Sequence, residues 1–169
     1  MIMNGSPIKV VALHCIMTML VMLLTSCRKQ RMPERHVVPS SYEGVVITIY
    51  NQKGFPELPV ENGYLLFEYP EDGIIITSSA ISYGWASDQT LDALPDGTRH
   101  HFNNGHAKDR REHFAASGTH STGGNVTLEY AFRVVGSQTY YQSIDASAYD
   151  AKVAEAEEKL QSLKAKQNP

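Results

Sequence analysis

Histidine is the residue type in this chain best placed to do chemistry. Five of its seven histidines fall within twenty-one residues, His100, His101, His106, His113 and His120. Neutral imidazole is a common zinc ligand, and a polar loop can gather three rings around one ion. The spacing follows no ligand pattern, however. His-Glu-x-x-His is absent, and Glu112-His113 has no second histidine four residues on. If the segment around residue 100 is a strand, His100 and His101 point to opposite faces. We therefore assign no metal and no cofactor, and keep a metal- or small-ligand-binding loop at 100–120 as the alternative function. Gly118-Thr119-His120-Ser121-Thr122-Gly123 holds Ser and His but is not a Gly-x-Ser-x-Gly elbow. No phosphate-cradling Gly-x-x-x-x-Gly-Lys-Ser/Thr run exists. Glu61, Glu68, Glu71 and Asp72 stand beside turns, where a glycosidase pair would need a defined separation that sequence does not give. No catalytic residue is assigned and no catalysis is expected, with an envelope hydrolase as the third reading.

The other chemical landmark is Cys27. Lys9 precedes an apolar run from Val10 to Leu24, broken by His14 and Thr18, and Leu24-Thr25-Ser26-Cys27 follows. About fifteen apolar residues are too few to span a bilayer and match a secretory signal peptide. The ending resembles the bacterial lipobox, which implies cleavage before Cys27 and attachment of lipid, palmitate included, to its sulfur. One acyl chain anchors marginally, and a second makes attachment stable. Cys15 would leave with the signal and Cys27 would be consumed by lipid, so the exported part would hold no thiol for a disulfide, a cysteine metal site or a nucleophile. Removing Lys9, the one charged residue before Cys27, takes the formal charge from −3 to −4. That mild acidity argues against a nucleic-acid partner. The address is a cell membrane or outer membrane, facing the periplasm or exterior.

The elements that must position these residues read as four segments. Residues 1–26 are the signal peptide. Residues 27–40 form a lipidated basic tether, with Arg28, Lys29, Arg31 and Arg35 and two prolines but no apolar period. The tether is either solvated or held near an anionic surface. Residues 41–144 form the β domain. Strands are expected at Val45–Tyr50, Tyr64–Tyr69, Ile74–Thr77 and Thr98–Phe102, divided by Asn62-Gly63, Asp72-Gly73 and Pro95-Asp96-Gly97 turns. Val126 to Val134 alternates apolar and polar over nine residues, giving one buried and one wet face. A further strand is expected at about Ser137–Ile144, and Asn103–Gly124 reads as a long loop, either recognition surface or mobile insertion. Trp85, the single tryptophan, is expected to cap the core beside Tyr83; the alternative is an aromatic pair that anchors a partner. The fold class is mainly β, an antiparallel β-sandwich of transthyretin- or immunoglobulin-like type with a C-terminal α-helix.

Residues 145–169 change period. Tyr149, Val153, Ala156, Leu160 and Leu163 form a heptad-spaced stripe, capped by Ser147 with Asp150. Such an amphipathic helix lies on its own sheet, or pairs with a second copy or an envelope partner.

Gly44-Val45-Val46-Ile47, Glu61-Asn62-Gly63-Tyr64, Tyr69-Pro70-Glu71-Asp72-Gly73-Ile74, Thr77 and Tyr83-Gly84-Trp85 resemble an uncharacterised domain of bacterial lipoproteins, over roughly residues 40–136. The resemblance implies a fold and an envelope address. It carries over no catalytic or binding residue. The expected function is that of a lipid-anchored envelope protein with a binding or structural role.

Overall fold

The computed structural model describes residues 30–102, 110–122 and 126–167; the expected signal peptide, Cys27, Arg28, Lys29 and His106 lie outside them. In chain order the elements are β1 (Glu34–Pro39), β2 (Gly44–Tyr50), β3 (Val60–Glu61), β4 (Tyr64–Glu68), β5 (Ile74–Ile76), β6 (Gln89–Ala93), β7 (Arg99–His101), β8 (Arg110–Thr122), β9 (Val126–Ser137), α1 (Gln138–Ser143) and α2 (Ala146–Gln167).

The seven residues of β2 are all buried, because this strand is covered on both faces. Val45, Ile47 and Ile49 pack with Leu128 and Phe132 of β9 against Val153, Ala156 and Leu160 of α2. Val46 and Tyr50 turn the other way, to Val38, Phe67, Tyr69 and Phe102. The molecule is thus three layers: helix α2, a four-stranded sheet β5-β2-β9-β8, and a five-stranded sheet β3-β4-β1-β6-β7. The helical stripe is occupied by the chain's own sheet.

The strands expected at 45–50, 64–69, 74–77, 98–102 and 126–134 all form, within a few residues. The sandwich is mixed, however, where the alternating pattern suggested purely antiparallel pairing. β1 runs parallel to both β4 and β6, and β2 runs parallel to β5. The chain leaves each sheet for the other before returning, so successive visits arrive in the same direction and need crossovers rather than hairpins. The hairpin-type pairs, β3-β4, β6-β7 and β8-β9, remain antiparallel.

Three segments differ in kind from expectation. Residues 34–39, placed in the tether, form β1 at the centre of the five-stranded sheet. Glu34 and His36 are buried there because partners from other elements meet them. Residues 110–122, placed in a loop, form the long strand β8 along β9, with a register shift between Phe114 and Ala116. Residues 138–143 turn as α1 instead of continuing the sheet. Ser137 caps it, its hydroxyl accepting from Tyr140 N at 3.1 Å while donating to Glu43 Oε1 at 2.9 Å. Gly136 is required just before it, since a Cβ there would stand 2.8 Å from Glu43 Cγ and 2.9 Å from Tyr140 Cδ1.

Helix α2 starts two residues earlier than the Ser147-Asp150 pairing suggested. Asp145 Oδ1 accepts from Ser147 N at 2.9 Å and Ala148 N at 3.3 Å, and the Ser147 hydroxyl helps hold its carboxyl below the usual range. The helix is clasped to the β4–β5 turn, where Lys159 Nζ donates to Asp72 Oδ2 at 2.6 Å and to the Ile74 carbonyl at 3.1 Å. Partial burial works against the Asp72 carboxylate, but Lys159 outweighs it and keeps its pKa below the usual range.

Candidate ligand cleft between the sheets

Along β1 the period-two rule puts Glu34, His36 and Val38 on the face turned to the other sheet. Opposite them, β9 presents Ala131 and Arg133 in register with Thr48 and Val46 of β2. The polar face of β9, expected to be wet, is therefore turned inward between the sheets. Its alternation was legible; what covers each face was not. The irregular segment 81–88 closes the side, and a cleft of about 310 Å³ remains among Arg31, Glu34, His36, Tyr50, Tyr69, Tyr83, Asp88 and Arg133.

Glu34 is the hub. Its carboxylate receives Arg31 at 3.1 Å on one oxygen, and Arg133 and His36 Nε2 at 3.1 Å each on the other. Its backbone N–H donates to Asp88 Oδ1 at 2.9 Å, and Arg31 also pairs with Asp88. Two guanidinium groups and two carboxylates balance. Such mutual pairing is what makes ionised groups tolerable at low exposure.

His36 is 1 % exposed and stacks on Phe67 with ring centroids 4.5 Å apart. Burial, reinforced by the nearby Arg133 guanidinium, pushes its pKa well below the usual histidine value; Asp88 opposes this without prevailing. The ring is therefore neutral. With Nε2–H donating to Glu34, Nδ1 accepts a long hydrogen bond, 3.4 Å, from Tyr69 OH, and the Tyr69 oxygen lies 3.2 Å from Thr48 Oγ1. One ordered assignment results, Thr48 to Tyr69 to His36 to Glu34, with each group donating to the next. Burial also raises the Tyr50 hydroxyl above the usual tyrosine range, so it faces the cleft as a neutral group.

Apart from Tyr83, the residues singled out by sequence lie elsewhere. His100 and His101 sit on β7 in the five-stranded sheet, and His113 and His120 on β8 in the other. His113 and His120 are opposite Val134 and Leu128 of β9, which a strand rise of about 3.3 Å per residue separates by roughly 20 Å. No group of three metal-ligating side chains occurs among the described residues. Glu61 and Glu68 both hold Arg99, at 3.0 Å each, and Asp72 holds Lys159. Trp85 does not cap the core: it is 64 % exposed, and Tyr83 beside it 60 %.

A family model covers residues 30–144, spanning both sheets and α1. The chain belongs to that family, one of unknown function (DUF6843). The resemblance to uncharacterised lipoprotein domains, expected over residues 40–136, is thereby extended at both ends, and at the N-terminal end it takes in β1 and Arg31. Helix α2 lies beyond the part that defines the DUF6843 family. No curated protein matches the chain. Among solved structures, a crystal structure at 2.75 Å of a Bacillus anthracis chain called a putative lipoprotein matches with a TM-score of 0.64 and 20 % identity, over 79 % of this chain and 96 % of that one. At that identity the likeness establishes a shared fold.

Proposed function

We propose that this protein is anchored to the cell envelope through lipid on Cys27 and that its domain binds a small polar molecule between the two sheets, without transforming it. The observation that carries the binding reading is the cleft itself. Its volume, about 310 Å³, falls at the small end of ligand sites, and its lining joins a hydrogen-bonded polar network to apolar surface from Tyr50, Tyr69, Ile81 and Ala131. Two positive and two negative groups leave no net charge, and His36 adds none. The ligand class that fits is a neutral or zwitterionic molecule of amino-acid or monosaccharide size, met by Arg133 on one side and Asp88 on the other. Both nitrogens of His36 are engaged within the network, one by Glu34 and the other by Tyr69.

The anchoring reading rests on Leu24-Thr25-Ser26-Cys27 and on the lipoprotein name of the structural neighbour. Both the cell membrane and the outer membrane are compatible with it.

The test of binding is calorimetric titration of residues 28–169 with a panel of amino acids and neutral sugars. Ala131→Leu fills the cleft without removing a charged group, so binding that this variant abolishes supports the site. Equal titration of the variant, or no saturable binding across the panel, refutes it. Cys27→Ser tests the anchor: the variant should leave the membrane fraction and lose an alkynyl-palmitate label.

A further inference from the structure

Met32, Tyr83 and Trp85 are three of the large apolar side chains that the domain exposes, at 49 %, 60 % and 64 %. They gather where the chain enters the domain. Gln30 bridges to Trp85 in parallel fashion, and Arg31 N donates to the Trp85 carbonyl at 3.1 Å, which ties the entry strand to the 83–87 segment. Cys27 is three residues before Gln30. Three residues of extended chain reach at most about 11 Å, so an acyl chain on Cys27 holds this aromatic rim within reach of the headgroup layer.

We infer that Met32, Tyr83 and Trp85 seat on the bilayer surface beside the anchor and fix the domain with the Tyr83 side of its cleft toward the membrane. This rests on the anchoring reading above. Tryptophan and tyrosine are the side chains that prefer the membrane–water boundary, where an apolar ring and a polar tip are both satisfied. A bilayer is favoured over a purely electrostatic contact by the fate of the tether's charges. Arg31 is engaged by Glu34 and Asp88, and Arg35 lies over the Tyr64 ring at 4.3 Å with Glu61 at 3.6 Å. Two of the four tether cations are thus committed within the domain, so docking is mainly aromatic in character.

Trp85 is the only tryptophan in the chain and serves as the reporter. The full-length protein, purified from membranes and checked by mass for acylation, is reconstituted into phosphatidylethanolamine–phosphatidylglycerol vesicles with and without 6,7-dibrominated chains. Docking predicts blue-shifted Trp85 emission, quenching by the brominated lipid, and acrylamide quenching reduced about threefold in 50 mM and 500 mM salt alike, as an interfacial ring requires. Met32→Ser with Tyr83→Ser should restore acrylamide access while the protein still floats with vesicles. Flotation with Trp85 fully open to acrylamide overturns the docking and spares the anchor. Shielding from acrylamide without bromolipid quenching also overturns it, because a second protein surface then covers the rim. Failure to float, with no acyl mass, removes the anchor and the docking together.

Discussion

β1 and β2 are both central, buried strands, and they are buried by opposite means. β2 reads Gly-Val-Val-Ile-Thr-Ile-Tyr and is stabilised by apolar surface on both faces. β1 reads Glu-Arg-His-Val-Val-Pro, and its first half is tolerated inside because Asp88 and Arg133, from two distant places in the chain, join Arg31 just ahead of it. Apolar burial is a property each residue carries by itself. Polar burial is a property of an assembled set. The second kind leaves a cleft, since ionised groups hold one another at hydrogen-bond distance instead of interdigitating, and this is where the candidate site lies.

That contrast has consequences of decreasing size. Glu34→Ala removes the carboxylate shared by Arg31, Arg133 and His36 at low exposure and should cost about 3–5 kcal/mol in urea unfolding, by analogy with broken buried pairs. Adding Arg133→Met should recover part of that cost, since it withdraws one of the charges that Glu34 had balanced; a fully additive loss would show the network is not cooperative. Ile47→Ala should cost about 2–5 kcal/mol through the cavity between β2 and α2, with no dependence on the state of Arg133. The two substitutions are to be compared in the same background, because partner dependence rather than magnitude separates the two kinds of burial.

The pH profile sharpens the comparison further. His36 is held neutral well below its unfolded value, so below about pH 6.5 the unfolded chain binds a proton that the folded chain refuses. Stability should fall as pH drops from there, by up to about 1.4 kcal/mol per unit, until the folded-state pKa is reached. The groups around the ring that set this window are Glu34, Arg31, Asp88, Arg133 and Tyr69. His36→Phe should flatten the slope between pH 6.5 and 5, and an unchanged slope would assign it to other groups. Asp72 acts in a lower window: its depressed carboxyl contributes stability above its unfolded value near 4, and that contribution disappears as pH falls further. The smallest effect is expected from Thr48→Val. Thr48 is the polar residue by which β2 joins the network of β1, and replacing its hydroxyl should cost about 1 kcal/mol while leaving the pH slope in place.

Legibility from sequence followed the same division. Val45 to Tyr50, Tyr64 to Glu68, Ile74 to Ile76, Val126 to Val134 and the stripe of α2 carry their periods in their own residues and were readable. β1 was not, because Glu34, Arg35 and His36 look solvated until their partners are known. β6 contains Asp92, 5 % exposed, inside a strand pattern and was missed for the same reason. β8 hid for a geometric one. The register shift at Phe114/Ala116 changes the phase of its alternation midway, so no single period runs through it. Six histidines remain after Cys15's segment is removed, and the one that matters to the cleft is His36, the one outside the cluster. Within the cleft Arg133 donates to Glu34 across 99 positions of sequence, a juxtaposition that no local spacing encodes.

The placement of β1 also bears on when this chain can fold. Its neighbour β6 pairs with it across 54 residues, and β2 waits for β9 near the far end of the chain. Closing such long loops precedes any reward from the contacts they make, which slows folding. A chain exported N-terminus first, as the proposed signal peptide requires, would therefore emerge with its anchor site and its two central strands exposed and without partners. On that route the domain could not close until nearly all of it had crossed, so passage through a narrow conduit would finish before folding began.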